Sequence, residues 1–298
     1  MRPRPTYDLP LPTGRTLRLG PRTLVMGIVN VTPDSFADTR DRVDPTGAIE
    51  QALAMVASGA DLLDIGGEST RPGATPVGAD EELSRVVPVI RALVGQVDVP
   101  LSVDTSKADV ARTALAEGAA IINDISALRY DPDIAGAVAE RSAVLILMHS
   151  RGRSNRMYRE AEYQNVAGEV VAELDDAIRC AERSGVPRAS IVVDPGLGFA
   201  KLGDHSYAAL AGLNALASLD RPILVGPSRK SFLSAAIGDV PPGEREWATA
   251  AAVAASVWLG AHIVRVHGVR EMVDVVRVTD RVRLHAEHRH GRDDGVRP

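Results

Sequence analysis

The chain has 298 residues, 45% of them hydrophobic, and 34 basic against 39 acidic side chains give a formal net charge of −5. At roughly 150 residues per domain, or about 250 for a single closed α/β barrel, either one or two domains fits. Aromatics at 3% argue against an aromatic-rich β-sandwich, the mild acidity supplies no field to draw nucleic acid or anionic lipid, and the lone Cys180 excludes an internal disulfide framework or a multi-cysteine zinc site.

In chain order, the opening MRPRPTYDLPLP is too rich in proline and charge for a signal-peptide apolar core, so a cytoplasmic protein is expected. Residues 1–23 read as a cap segment, with Thr16 to Leu19 and the Gly20-Pro21 pair forming a short hairpin beneath the main domain. Short runs of Val, Ile and Leu then predict strands at 24–29, 62–65, 101–103, 121–125, 144–148, 191–193, 223–225 and 263–266. Helical periodicity alternates with them at 45–57, 81–94, 107–117, 133–141, 165–183, 207–218, 244–259 and 269–284. Gly59, Gly118 and Gly260 each stop a helix just before a strand. Eight such units over residues 24–284 predict an α/β fold of the (β/α)₈ (TIM) barrel type, with a disordered tail at 285–298. A doubly wound open sheet is the runner-up, disfavoured because no glycine fingerprint follows Val29. The apolar stretch 248–264 contains Thr249, Ser256, Gly260 and His262, so it reads as a buried helix and strand, not a membrane span.

In such a barrel the active site lies at the carboxyl ends of the strands, and here each of these ends is polar. Asp104, Asn123, Asp194 and Lys230 come from strands three, four, six and seven and offer acceptors and donors suited to a flat heterocycle with amide and amino groups. Asn30, Arg265 and His267 come from strands one and eight and suit a phosphate-like group, with the Asn30 carbonyl oxygen able to help hold Mg²⁺ against it. His149 has no evident partner and reads as structural.

These residues sit in runs that resemble the dihydropteroate synthases: MGIVNVTPDSF at 26–36, GGESTRPGA at 66–74, SVDT at 102–105, IND at 122–124, DPGLGF at 194–199, SRKSFL at 228–233 and RVH at 265–267. The resemblance spans Leu24 to about Arg283. It implies a transferase that joins 6-hydroxymethyl-7,8-dihydropterin pyrophosphate to 4-aminobenzoate with loss of pyrophosphate, by a dissociative, Mg²⁺-assisted substitution. It also implies roles: Asp104, Asn123, Asp194 and Lys230 for the pterin; Asn30, Thr70, Arg265 and His267 for pyrophosphate, Asn30 also for the metal; Phe36, Arg71, Pro72, Gly198, Phe199 and Ser231 for 4-aminobenzoate. Asp104, Lys230, Arg265 and His267 would carry the catalysis. A homodimer paired through the last two helices, and competition by sulfonamides, are further implications.

Three places depart from the family pattern. The first loop continues as ADTRDR instead of a glycine-rich turn, Ser150-Arg151-Gly152 follows His149 where a second methionine is usual, and Gly268 stands where an Asp usually follows the His. A silent pterin-binding paralogue and a pterin-binding methyltransferase are the alternatives. The first leaves the set Asn30, Asp104, Lys230, Arg265 and His267 surplus; the second leaves SRKSFL and the Thr70 loop without a task.

Overall fold

The computed structural model describes residues 3–32, 45–70, 73–152 and 157–293. An antiparallel hairpin of β1 (Tyr7–Pro10) and β2 (Thr16–Leu19) opens it, with Tyr7 opposite Leu19. Eight parallel strands come next: β3 (Leu24–Asn30), β4 (Leu62–Gly66), β5 (Leu101–Asp104), β6 (Ile121–Asp124), β7 (Val144–Met148), β8 (Ile191–Asp194), β9 (Leu224–Val225) and β10 (Ile263–Val266). They lie in the order β8-β7-β6-β5-β4-β3-β10-β9. The two ends of that order meet through a bridge between Val193 and Ile223, where the Val193 amide donates to the Pro222 carbonyl at 3.0 Å. The sheet therefore closes into the expected barrel, and the open doubly wound alternative is excluded.

The helices among the described residues are α1 (Pro45–Ala57), α2 (Ala79–Leu93), α3 (Ala108–Ala116), α4 (Asp133–Glu140), α5 (Val166–Arg183), α6 (Gly203–Ala211), the short α7 (Ser234–Ile237), α8 (Glu246–Trp258) and α9 (Val269–Asp293). None of them is long and apolar enough to cross a membrane. The expected single helix over 207–218 is instead α6 followed, after Gly212, by a 3₁₀ segment at Leu213–Leu219. A side chain on Gly212 would meet the Ala167 Cβ at 2.7 Å, so the chain turns there at close backbone approach to α5. The last helix runs on past the expected end at Leu284 to Asp293.

Strand alternation builds two packed layers. Leu63, Ile65, Val103, Ile122, Leu145 and Val193 join the cluster between barrel and helices. Their neighbours Leu62, Ile121, Ile146, Val192, Leu224 and Ile263 form a second cluster inside the barrel, closed at the amino ends by Leu9, Leu11 and Leu19 of the hairpin. Arg4 ties that hairpin down by donating to Thr23 Oγ1, the Ala261 carbonyl and, at 2.9 Å, Asp280 Oδ1 of α9. Two residues along from Leu62, Ser102, Ile121, Val192 and Ile263 stand Asp64, Asp104, Asn123, Asp194 and Arg265. The same period that fills the barrel thus sets a polar layer one step nearer its carboxyl end.

Candidate active site

At the centre of the polar layer a guanidinium joins two carboxylates. Arg265 donates through Nε to Asp64 Oδ2 at 2.5 Å and through Nη2 to Asp104 Oδ2 at 2.9 Å, and Asn123 Nδ2 donates to the same Asp64 oxygen at 2.9 Å. Asp64 and Asn123 are buried, and the second carboxylate oxygen of Asp64, Oδ1, and the amide oxygen of Asn123, Oδ1, find no hydrogen-bond partner among the described residues. Burial pushes the Asp104 carboxyl up to about 7 even with Arg265 pulling it down. It also opposes the Arg265 charge, but Asp64 and Asp104 outweigh it and raise that pKa above the ordinary guanidinium value.

Across the site, Lys230 Nζ donates to the Leu197 carbonyl at 2.6 Å and lies 4.6 Å from the Phe199 ring centroid. Burial brings its ammonium down to about 8, with the Asp194 charge opposing that fall; the same burial raises the Asp194 carboxyl against the pull of Lys230. Asp194 Oδ1 accepts the Gly196 amide at 2.7 Å and so shapes the turn after β8. Gly196 has φ +66, and a Cβ there would fall 1.9 Å from the His149 carbonyl oxygen. At Gly198, φ +79, a side chain would crowd the Lys230 stem at 3.3 Å.

The residues expected for a phosphate-like group lie on adjoining strands. Asn30 ends β3 opposite Gly66 of β4, and Thr70 lines a cavity of about 260 Å³ together with Glu68, Asp104, Lys107, Tyr130 and Phe199. His267 comes directly after β10, its Nδ1 2.9 Å from Ser228 Oγ, and its amide donates to that same hydroxyl at 3.2 Å. Ser231 begins a 3₁₀ segment, Ser231–Leu233, directly after Lys230. Phe36, Arg71 and Pro72 lie outside the described residues.

The structure adds residues the sequence reading did not single out. Asp64 is one. Tyr158 is another, its hydroxyl 3.3 Å from the Gly198 carbonyl and 3.5 Å from Ser231 Oγ. Lys107 bridges Glu68 and the buried Glu82, pinning the start of the loop that carries Thr70 to α2. His149 has partners that the sequence did not reveal: its Nε2 is 3.1 Å from Glu173, its Nδ1 2.8 Å from Lys201 Nζ, and burial pushes its pKa down to about 4. Lys201, itself buried, donates on to the Phe199 carbonyl at 3.2 Å and thereby supports the loop that flanks Lys230. Asp124 turns away from the site, its carboxylate accepting the Ser126 and Leu128 amides at 2.8 and 2.6 Å.

Residues 26–267 match a family model described as pterin binding enzyme. A dihydropteroate synthase of Synechocystis sp. is 44% identical over 275 residues, covering 92% of this chain and 95% of its own. Among solved structures, the dihydropteroate synthase of Burkholderia cenocepacia complexed with 7,8-dihydropteroate superposes with a TM-score of 0.84 at 43% identity, covering 95% of this chain and 98% of that one. That of Xanthomonas albilineans with 4-aminobenzoic acid gives 0.86 at 42% identity, covering 93% and 98%.

Proposed function

This chain belongs to the dihydropteroate synthases among the pterin-binding enzymes, and we propose that its polar layer divides the labour of that reaction between a pterin pocket and a leaving-group pocket. The reaction condenses 6-hydroxymethyl-7,8-dihydropterin pyrophosphate with 4-aminobenzoate to give 7,8-dihydropteroate and pyrophosphate. The observation that carries the assignment is the buried acceptor Asn123 Oδ1, without a hydrogen-bond partner among the described residues, beside the Asp104–Arg265 contact. Buried polar atoms without partners are costly, and a heterocycle bearing N–H and amino donors satisfies them. Asp104, Asn123, Asp194 and Lys230 then hold the pterin, with Asp64 fixing Asn123 and Arg265 behind them.

Asn30, Thr70, Arg265 and His267 take the pyrophosphate. Arg265 spends two of its five N–H donors on the carboxylates, which leaves donors for phosphate oxygens. Among the described residues no three His, Cys, Asp or Glu side chains gather as a metal cage. The neutral Asn30 oxygen beside a phosphate pocket nevertheless fits Mg²⁺, which keeps several waters and is commonly held by one or two protein oxygens plus substrate phosphates. When bound there, Mg²⁺ would neutralise charge on the departing pyrophosphate. Breaking the C–O bond to pyrophosphate leaves cationic character on the pterin methylene, which the Asp104 carboxylate offsets; the amine of 4-aminobenzoate attacks that carbon and gives up one proton to the released pyrophosphate, with no covalent enzyme intermediate. The aromatic substrate lies by Gly198, Phe199 and Ser231, with Phe36, Arg71 and Pro72 from the two loops.

The test is pyrophosphate release measured with and without 4-aminobenzoate. Release that depends on 4-aminobenzoate supports the assignment; release without it, or none, overturns it. In the same assay, removing Mg²⁺ raises KM for the pyrophosphate-bearing pterin far more than it weakens a pterin lacking phosphates, and an equal effect on both refutes Asn30 as a metal-assisting ligand. A sulfonamide raises KM for 4-aminobenzoate with kcat unchanged; a pure fall in kcat refutes the shared pocket.

A homodimer fits the outer surface of α8 and α9. Trp247 is 89% exposed and Val278 66%, with Trp258, Val282 and Leu284 also exposed along these helices. Pairing through these helices would take these apolar side chains out of water. Light scattering at micromolar concentration should give twice the chain mass, and a monomeric mass refutes the pairing.

A further inference from the structure

Resting on the function proposed for this site, we propose that Glu246 is a positioning residue for both substrate pockets: through Arg229 it holds the backbone that presents Lys230 and Ser231, and Gly268 gives its carboxylate the room to do so. Arg229 has φ +58, a left-handed conformation that side-chain-bearing residues seldom adopt and that persists only where neighbours enforce it. Its enforcement comes from one helix start. The Arg229 amide donates to Thr249 Oγ1 at 3.0 Å, its Nε donates to Glu246 Oε2 at 2.9 Å, and its carbonyl accepts from Arg245 Nη1 at 3.1 Å. Thr249 and Arg245 are buried, so these anchors are themselves fixed. Lys230 comes next in an extended conformation, φ −71 and ψ 153, and from there its Nζ reaches the Leu197 carbonyl. Ser231 is the residue after it. A relaxation at Arg229 therefore moves the pterin and aminobenzoate groups together.

The other carboxylate oxygen, Glu246 Oε1, is buried and meets no partner among the described residues, and it lies 2.2 Å from where a Cβ on Gly268 would stand. Any side chain at 268 would displace the Glu246 carboxylate. Gly268 directly follows His267, which contacts Ser228, so the Glu246 carboxylate, with Glu271 Oε2 also 3.2 Å from the same Cβ position, lies between the loop after β9 and the end of β10. The volume beside residue 268 thus belongs to a carboxylate from α8.

The test is steady-state kinetics on the full chain with both substrates, alongside melting temperature. Glu246→Ala and Gly268→Ala should each raise KM for 4-aminobenzoate and for the pterin by about tenfold, a relaxation of modest local strain. The double variant should be no worse than either single one, because both remove the same contact. Arg229→Gly added to Glu246→Ala should restore both KM values, since glycine takes the left-handed conformation without a clamp. Should Glu246→Ala fail to fold, Glu246→Met, which keeps the length of the side chain and removes the acceptor for Arg229, serves in its place. Unchanged KM values, with or without a fall in melting temperature, overturn the proposal, as do additive losses or a failed glycine rescue. The function on which it rests is tested separately, by wild-type pyrophosphate release.

Discussion

Asp104→Asn should slow turnover by roughly 10² to 10³ while leaving pterin binding partly intact. A carboxylate about 4 Å from a developing cation contributes roughly 4 kcal/mol at an effective dielectric near 20, and an amide of the same shape forfeits most of that while keeping a hydrogen-bonding oxygen. The pH dependence of kcat/KM identifies the group. Burial raises the Asp104 carboxyl to about 7, so the wild-type rate climbs as pH rises through that value and the stabilising charge forms. The Asn variant lacks this limb. Because the folded pKa lies above the ordinary carboxylate value, the fold prefers the protonated form; stability falls as pH rises from about 4 to about 7 and the full cost is present above it. The carboxylate is thus least favourable to the fold where it is most useful to the reaction. Near-normal turnover in the variant, or an acid limb that survives the substitution, overturns the role.

Much of this was legible because the barrel is repetitive. Asp104, Asn123 and Asp194 end or nearly end apolar runs, so each stands out as a polar residue at a strand's carboxyl end. Asp64 stood inside the run 62–65, flanked by Leu62, Leu63 and Ile65, and a lone carboxylate within a strand buried on both faces looks like an interruption, not a site. Its signal was there in the period of two: Asp64 follows Leu62 as Asn123 follows Ile121. Tertiary partners left no comparable trace. Lys201 is 52 residues from His149 and Glu173 is 24, so the histidine's lack of a local partner was visible but its actual ones were not. The helix expected at 207–218 likewise breaks at Gly212, where Ala167, far away in sequence, leaves no room for a side chain.

Arg265→Met destabilises the fold by about 3 to 5 kcal/mol, the usual cost of removing one member of a buried ion pair and leaving its partners charged. Two carboxylates depend on this guanidinium, and both are shielded: the Asp64 side chain is 0% exposed and that of Asp104 10%. Lysine does not replace it, because a single ammonium cannot reproduce the planar fork that meets Asp64 through Nε and Asp104 through Nη2. Part of the loss is recovered by adding Asp64→Asn, which removes one of the stranded charges and keeps the oxygen that Asn123 Nδ2 meets. The loss also has a definite pH dependence. Arg265 lowers the Asp104 pKa, so without it that carboxyl rises further and gives up more stability on ionising. Chemical denaturation of wild type and variant at pH 5 and pH 8 should therefore show the larger deficit at pH 8, where the wild type keeps Asp104 ionised beside its cation and the variant must either bury the bare charge or protonate it. A deficit below about 1 kcal/mol, or one that is the same at both pH values, would mean that the Asp64–Arg265–Asp104 contact does not hold the polar layer together.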